Sequence, residues 1–253
     1  MAKSSKFALK IKDYLHSPER KREYNEQHFS EAASRYDFAT RAMSLGRDAA
    51  WKTQLVAALP QLPAPVCVDL ACGTGDIALL LAEKYPAGRI VGIDLTEPML
   101  ALARQRSDSI NIEFLRQDMG ATDFPDASAD IVTGGYAVRN AAELSQAFLE
   151  IHRILKPGGC AALLDFSKPP SPWFQQLQYL VLKYWCGLWG LLLHGNPEVH
   201  SYISASLKTF PDRKQLRALI TETGFAVSLS RQFYFGTLEL LILRKQSDGL
   251  MTQ

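Results

Sequence analysis

The stretch "VDLACGTGD", Val68 to Asp76, constrains the fold more than any other: an apolar run breaks into a glycine-rich turn and then into a helical pattern. Val66–Leu70 reads as a buried parallel strand, because a strand covered by helices on both faces is apolar throughout rather than alternating. Gly73 and Gly75 give the turn backbone angles, and a closeness of ligand approach, that a side chain would block. Asp76–Tyr85 then reads as a helix, which makes the segment half of a strand–helix–strand unit, and the chain repeats that unit. Arg89–Asp94, Asn111–Leu115, Ile131–Thr133 and Cys160–Phe166 read as further strands. Pro98–Arg106 and Ala142–Leu155 read as helices, the second stopped by Pro157-Gly158-Gly159. Such alternation requires right-handed crossovers and a mostly parallel sheet. Gly224–Arg231 and Thr237–Arg244 follow with only a short gap between them, so the sheet is expected to end in an antiparallel hairpin.

The segments outside this core divide the chain into residues 1–60, an N-terminal arm and helices, residues 61–245, the α/β domain, and a tail over 246–253. Met1 to about Arg22 is polar and mixed in charge, as a peripheral arm would be. From Tyr24 to Leu59 the pattern is helical, and Pro60, Pro63 and Pro65 end it. An insertion at about 170–208 contains Trp173–Gly195, an apolar run long enough to raise the question of a membrane span. Gln175, Gln176, Gln178 and Lys183 argue against spanning. Trp173, Leu177, Leu180, Val181, Tyr184, Leu188 and Leu191 recur at helical spacing and make one broad apolar face. That face either packs into the core or belongs to a lid over an apolar acceptor that rests on a membrane surface; a homodimer surface is the third reading.

A net charge of +2 on 253 residues excludes a strongly basic nucleic-acid surface. The four cysteines, Cys67, Cys72, Cys160 and Cys186, form no C-x-x-C pair, and no His cluster has metal-ligand spacing, so no metal is expected. Free thiols and an N-terminus without a secretory signal fit a cytoplasmic protein. Cys72 sits in the glycine loop, but no His follows there to activate it as a nucleophile.

Gly73-Thr-Gly75-Asp-Ile-Ala78 fits the dinucleotide fingerprint, yet the same letters suit a loop for S-adenosylmethionine. A pyrophosphate would sit on the helix N-terminus and be repelled by nearby acids. S-adenosylmethionine has no phosphate and carries a sulfonium and an ammonium, and Asp69 and Asp76 crowd this turn, so the cationic cofactor is favoured. Asp94, nineteen residues past Gly75, ends the second strand, where a carboxylate accepts from ribose hydroxyls. Asp118 follows the third strand, placed for an adenine amino group, with Met119 as an apolar neighbour of the ring. Each Asp alone is as well explained as a helix cap or turn residue. Together they fall past the C-terminal ends of successive strands, where open parallel sheets bind ligands.

"VDLACGTGD", "GIDLTEPMLALAR", "FPDASADIVTGGYAVRN", "EIHRILKPGG" and "LLDFSKP" together resemble the class I S-adenosylmethionine-dependent methyltransferases, and more narrowly the ubiquinone/menaquinone biosynthesis C-methyltransferase family. The likeness runs from about His28 to Arg244 and includes "YDFATRAMSLGRDAAWK" and "SYISASLKTFPD". The resemblance implies a seven-stranded Rossmann-like α/β sheet with N-terminal helices and a helical cap. It implies methylation of a ring carbon of a small hydrophobic, prenylated quinol, with cofactor contacts at Thr74, Asp94 and Asp118-Met119. With the loop and its neighbours, the expected cofactor set is Asp69, Gly73, Thr74, Gly75, Asp94, Leu95, Asp118, Met119 and Gly135. In such enzymes an Arg-Asn pair helps to deprotonate the ring hydroxyl, and it falls on Arg139 and Asn140.

The chain departs from the family at Tyr36-Asp37-Phe38-Ala39-Thr40, where Asn is usual at the fifth place, at Gly135-Tyr136, where Ser often precedes the aromatic, and at Cys72, where Gly is common. A guanidinium stays protonated, so Arg139 is assigned to stabilise the phenolate while a water or Asn140 relays the proton. As a structural alternative, Arg139 pairs with Asp130 or Asp165. Tyr202 and Tyr136 are candidates for the acceptor pocket, His194 and His200 for a base or for exposed loop histidines, and Lys168 for a substrate contact. Rival functions are methylation, at carbon or oxygen, of another small hydrophobic natural product, retention of the cofactor for non-methylating chemistry, a nicotinamide-dependent oxidoreductase and a cofactor-sensing module.

Overall fold

The computed structural model describes residues 17–246. The expected strands form β1 (Val66–Leu70), β2 (Arg89–Asp94), β3 (Ile112–Arg116), β4 (Ala129–Gly135), β5 (Leu155–Phe166), β6 (Phe225–Phe233) and β7 (Leu238–Lys245). They make one seven-stranded sheet in the order β3-β2-β1-β4-β5-β7-β6. The first five strands are parallel, and β7 inserts antiparallel between β5 and β6. The order reverses at β1, which places a ligand crevice beyond its C-terminal end.

Both faces of the central strands are buried, which explains their apolar runs, whereas the edge strands β3 and β6 are largely half-exposed or exposed. Val68, Leu70, Val91, Ile93, Ala161 and Leu163 face one layer, built with Phe148, Ile151 and Ile154 of α6 (Leu144–Ile154) and Leu216 and Ile220 of α9 (Arg213–Glu222). Cys67, Ile90, Ile131, Cys160, Ala162 and Leu164 face the other. There they meet α3 (Asp48–Ala57), α4 (Asp76–Lys84) and α5 (Glu97–Arg106) through Leu55, Leu81 and Leu100.

Three local expectations need correction. The first helix, α1 (Pro18–Ala32), begins inside the stretch read as an arm, with Pro18 at its first turn where a missing N–H costs nothing; residues 1–16 and the tail beyond 246 lie outside the described residues. The helical pattern to Leu59 is broken into α1, α2 (Tyr36–Met43) and α3: a tight 3-10 turn over Ala33–Arg35 separates the first two, and Leu45 and Gly46, with positive φ, turn the chain between α2 and α3. Pro157-Gly158-Gly159 does not separate α6 from β5. The strand starts at Leu155 and contains all three residues, absorbing them in an irregularity of its pairing with β4. A Cβ on Gly159 would lie 2.9 Å from the Lys156 carbonyl and 3.1 Å from that of Asp130, so only glycine fits the bulge.

Between β5 and α9 the chain forms α7 (Pro172–His194) and α8 (Glu198–Thr209). The inward side of α7 carries Gln178, Tyr179, Leu182, Cys186, Gly187 and Gly190. The stripe of Trp173, Leu177, Leu180, Val181, Tyr184, Leu188 and Leu191 faces outward, each residue 42–68% exposed. Core packing is therefore not what this stripe does. Among the described residues no helix is long and apolar enough to cross a membrane.

Candidate active site

Two cavities meet beyond the C-terminal ends of the parallel strands. The first, of about 70 Å³, is lined by Ala71 and Gly73 of the glycine loop, by Asp94, Leu95, Thr96 and Met99 after β2, and by Asp118 and Met119 after β3. Gly135 of β4 also borders it, and Arg22, Asn25 and Phe29 of α1 close over it. Gly135 leaves room for the Ile77 side chain, whose Cδ1 would stand 2.6 Å from a Cβ there and would have to shift for a larger residue. The Asp94 carboxylate accepts from the Gly73 N–H at 2.9 Å and the Thr96 N–H at 2.8 Å, tying the loop to the next strand. Burial nevertheless raises its pKa, against the pull of these donors. Asp118 accepts from the Gly120 N–H at 2.9 Å and lies 3.3 Å from Arg22 Nε.

Not all of the expected cofactor set lines this space. Asp69 faces the neighbouring strand, accepting from the Thr133 hydroxyl at 2.7 Å, and burial pushes it up to about 7. Thr74 donates to Asp37 at 2.6 Å, and Gly75 caps α4 in the left-handed conformation. Asp76 points away, paired with Lys52 at 2.8 Å and Arg106 at 2.5 Å. These four residues hold the loop rather than border the cavity. The preference for a cation therefore shifts from Asp69 and Asp76 to Asp94 and Asp118. The donor set fits S-adenosylmethionine: two carboxylates at successive strand ends, apolar Leu95, Met99 and Met119 beside them, and only Arg22, already paired, as a basic side chain in the lining.

The second cavity is about 450 Å³, within the range of small-molecule sites, and its walls include Met43, Trp51, Phe166, Leu182 and Trp185. Phe29, Tyr36, Tyr136 and Asn140 line both cavities, so the two spaces adjoin at these residues. Arg139, 3% exposed, enters the second. Its backbone N–H donates to Asp165 at 3.0 Å, its Nε lies 3.4 Å from the same carboxylate, and Nη1 donates to the Ser206 hydroxyl. The guanidinium sits 5.3 Å from the Phe166 ring centre and 5.4 Å from that of Tyr202, within cation–π range. Asp165 is thus its ion-pair partner, whereas Asp130 pairs with Lys156 at 2.8 Å. Asn140 donates to the Tyr136 carbonyl at 2.9 Å and accepts from the Tyr202 hydroxyl. Arg139 and Asn140, adjacent in sequence, and the distant Tyr202 are one constellation.

Other candidates fall away. His200 is a buried residue of α8, not an exposed loop histidine, and burial lowers it to about 4; His28, beside it in the cavity wall, is lowered to about 3. His194 is lowered for the same reason and lines neither cavity. Lys168 donates to the Lys208 carbonyl at 3.1 Å, away from both. Burial raises the Cys72 thiol well above its usual range, so it is no thiolate nucleophile. Among the described residues no group of His, Cys, Asp and Glu could hold a metal.

Sequence reasoning missed Phe29, Tyr36, Trp51 and Trp185 as wall residues. Tyr36 touches both cavities, and burial raises its phenol to about 12. Periodicity cannot separate an aromatic that packs in a core from one that faces an apolar cavity.

The model of the ubiE/COQ5 methyltransferase family matches residues 18–241. The demethylmenaquinone methyltransferase of Thermus thermophilus is 37% identical over 202 residues, 79% of this chain and 91% of the relative. That of Symbiobacterium thermophilum is 34% identical over 92% of this chain and 97% of its own. A 2-phytyl-1,4-naphtoquinone methyltransferase of Thermosynechococcus vestitus is 37% identical over 78% and 88%. Among solved structures, the complex of the Haloferax volcanii Trm112 methyltransferase activator with its putative methyltransferase aligns with a TM-score of 0.64 at 18% identity, over 87% of this chain and 98% of that one, a likeness of fold. The matched family model spans the loop, the strand-end acids and the Arg139 constellation, so the chain belongs to the ubiE/COQ5 methyltransferase family and is an S-adenosylmethionine-dependent methyltransferase.

Proposed function

We propose that this enzyme methylates a ring carbon of a prenylated quinol of the demethylmenaquinol type. The observation that carries the reading is the junction: an apolar cavity of about 450 Å³ that holds a buried guanidinium and adjoins the cofactor cavity through Phe29, Tyr36, Tyr136 and Asn140. The names of the relatives support the same acceptor class. Bound S-adenosylmethionine supplies an electrophilic methyl group on a sulfonium. Asp94 receives the ribose hydroxyls, Asp118 the adenine amino group, and Leu95 and Met119 flank the base, with Gly73 and Gly135 allowing close approach. Arg139 stabilises the negative charge that develops on the ring oxygen, in a setting where water is excluded and a fixed charge acts strongly. Asn140 and Tyr202 orient the ring against it. Asp69, Thr74 and Gly75 act through the loop they hold. Incubation with methyl-labelled cofactor and a reduced demethylnaphthoquinone should give a product heavier by one methylene equivalent, with label on carbon. A label on oxygen would overturn the reading.

The exposed apolar stripe of α7 fits the same acceptor. Val181 lies on that stripe, 53% exposed, and also lines the acceptor cavity, so the apolar surface is continuous from ring site to exterior. A prenyl tail leaves along it, and the stripe rests on the surface of the cytoplasmic leaflet. The purified protein should float with liposomes, and Leu180→Glu/Leu188→Glu should release it while methylation of a short-tailed quinol persists. A lipid-free dimer that buries α7 and does not float would contradict this contact.

A further inference from the structure

We propose that Tyr136 and Asp48 form the relay that takes the proton from the acceptor's ring hydroxyl. The inference rests on the quinol reading above, because it requires an acidic hydroxyl beside the methylated carbon. Tyr136 stands where the two cavities adjoin and borders both. Its hydroxyl donates to Asp48 Oδ1 at 2.9 Å, leaving the phenolic oxygen free to accept from a ring hydroxyl. Asp48 is the first residue of α3 and 8% exposed, and its other oxygen accepts from Lys52 at 2.6 Å. Behind it lies a polar cleft of about 370 Å³, bordered by Asp48, Lys52, Asp76 and Arg106. Tyr136 and Asp48 therefore bridge an apolar chamber and a polar one.

Two further features fit a working residue at 136. Its φ is +57°, a conformation that a bulky side chain adopts only when the surroundings enforce it, and such strain clusters at functional sites. The carbonyl of Tyr136 accepts from Asn140, so the strained residue also aims the Arg139–Asn140 pair. Asp48 can take a proton without stranding its partner. Lys52 is shared with Asp76 at 2.8 Å, so neutralising Asp48 leaves the ammonium paired.

In the step, the ring O–H bond breaks and its electron pair stays on oxygen. The proton passes to Tyr136 Oη while that hydroxyl's own proton passes to Asp48. The electron-rich ring carbon takes the methyl group, and the sulfur keeps the pair of the broken S–CH₃ bond. The carbon then sheds its hydrogen as a proton, which returns to the ring oxygen and restores the hydroxyl, and Asp48 releases the first proton to the cleft. One proton leaves per turnover. Burial and the neighbouring Asp48 hold the Tyr136 phenol well above its ordinary range, so it passes protons without resting ionised. The charged and titratable groups facing the pair are Lys52 on α3, Asp76 on α4, Tyr36 on α2 and Asp165 on β5. The neighbouring imidazoles, His28 and His200, are lowered to about 3 and 4, too weak to hold the proton.

The test compares wild type with Tyr136→Phe and Asp48→Asn, both close in shape to the originals. Each should lower kcat at pH 7 by about 10²- to 10³-fold with little change in KM, and the double variant should be no worse than the singles. The deficit should shrink about tenfold per pH unit as alkali ionises the quinol itself, whose hydroxyl titrates near pH ~10 in water. Without cofactor, a bound hydroxynaphthoquinone, coloured on ionisation, should titrate about one pH unit lower in Asp48→Asn than in wild type, because the Asp48 carboxylate behind Tyr136 disfavours a second negative charge on the ring. Unchanged kcat, a deficit constant across pH, or an unmoved absorbance titration would each overturn the relay. Wild-type enzyme that transfers no methyl to a quinol would overturn the acceptor and the relay together; wild-type turnover with indifferent variants overturns the relay alone.

Discussion

Arg139→Ala should lose turnover by about 10³-fold, because a preorganised charge facing a developing oxyanion supplies about 3–4 kcal/mol in a water-excluded site. Adenosylhomocysteine should still bind within about twofold of wild type, since Arg139 borders the acceptor cavity and not the cofactor cavity. The substitution has a second effect that must be separated from the first. It leaves Asp165, 6% exposed, without its cation, and breaking a buried pair from one side costs about 3–5 kcal/mol of stability. Adding Asp165→Asn removes the orphaned charge while an amide oxygen still accepts from the backbone N–H of residue 139. The double variant should therefore regain most of the melting temperature and none of the turnover. Full kinetic recovery would assign Arg139 to packing.

Asp94→Ala should weaken adenosylhomocysteine by about 100-fold or more in calorimetry, since charge-assisted hydrogen bonds contribute about 1.5–3 kcal/mol each. The loss has two parts: the ribose acceptor disappears, and the Gly73 and Thr96 N–H groups lose the carboxylate that joins the loop to β2. Asp94→Asn keeps one oxygen acceptor and should fall between the two. Asp118→Ala should cost less, because that carboxylate shares itself with the half-exposed Arg22. Equal effects at the two positions would mean that the loop tie contributes nothing.

The sheet was legible because its physics is local and repetitive. Buried parallel strands must be apolar on both faces, as the runs at Val66 and Arg89 largely are, and even the half-exposed edge strand read from Asn111 fell within a residue or two of its observed bounds. Glycine signals were less reliable. Gly158 and Gly159 look like a stop, yet they serve a bulge inside β5, and only the nearness of the Asp130 carbonyl distinguishes the cases. Around the first cavity, the sequence placed Asp94 and Asp118 at strand ends, and both residues line that space. Asp69 and Asp76 carry the same letters in the same turn but face Thr133 and Lys52, since a side chain's direction at a loop is set by partners distant in sequence. The α7 stripe showed helical spacing and apolarity plainly. Which side of that helix meets the protein is decided by Gln178, Leu182 and Gly190, and an amphipathicity argument that buries the greasier side points the wrong way.

Calorimetric titration of the wild-type protein with adenosylhomocysteine and, separately, with a nicotinamide dinucleotide addresses most directly whether Asp94 and Asp118 build a seat for a cationic adenosyl cofactor. A seat of that kind gives saturable one-site binding of the first, diminished in Asp94→Ala, and no heat from the second. Tight uptake of the dinucleotide with indifference to adenosylhomocysteine would contradict it.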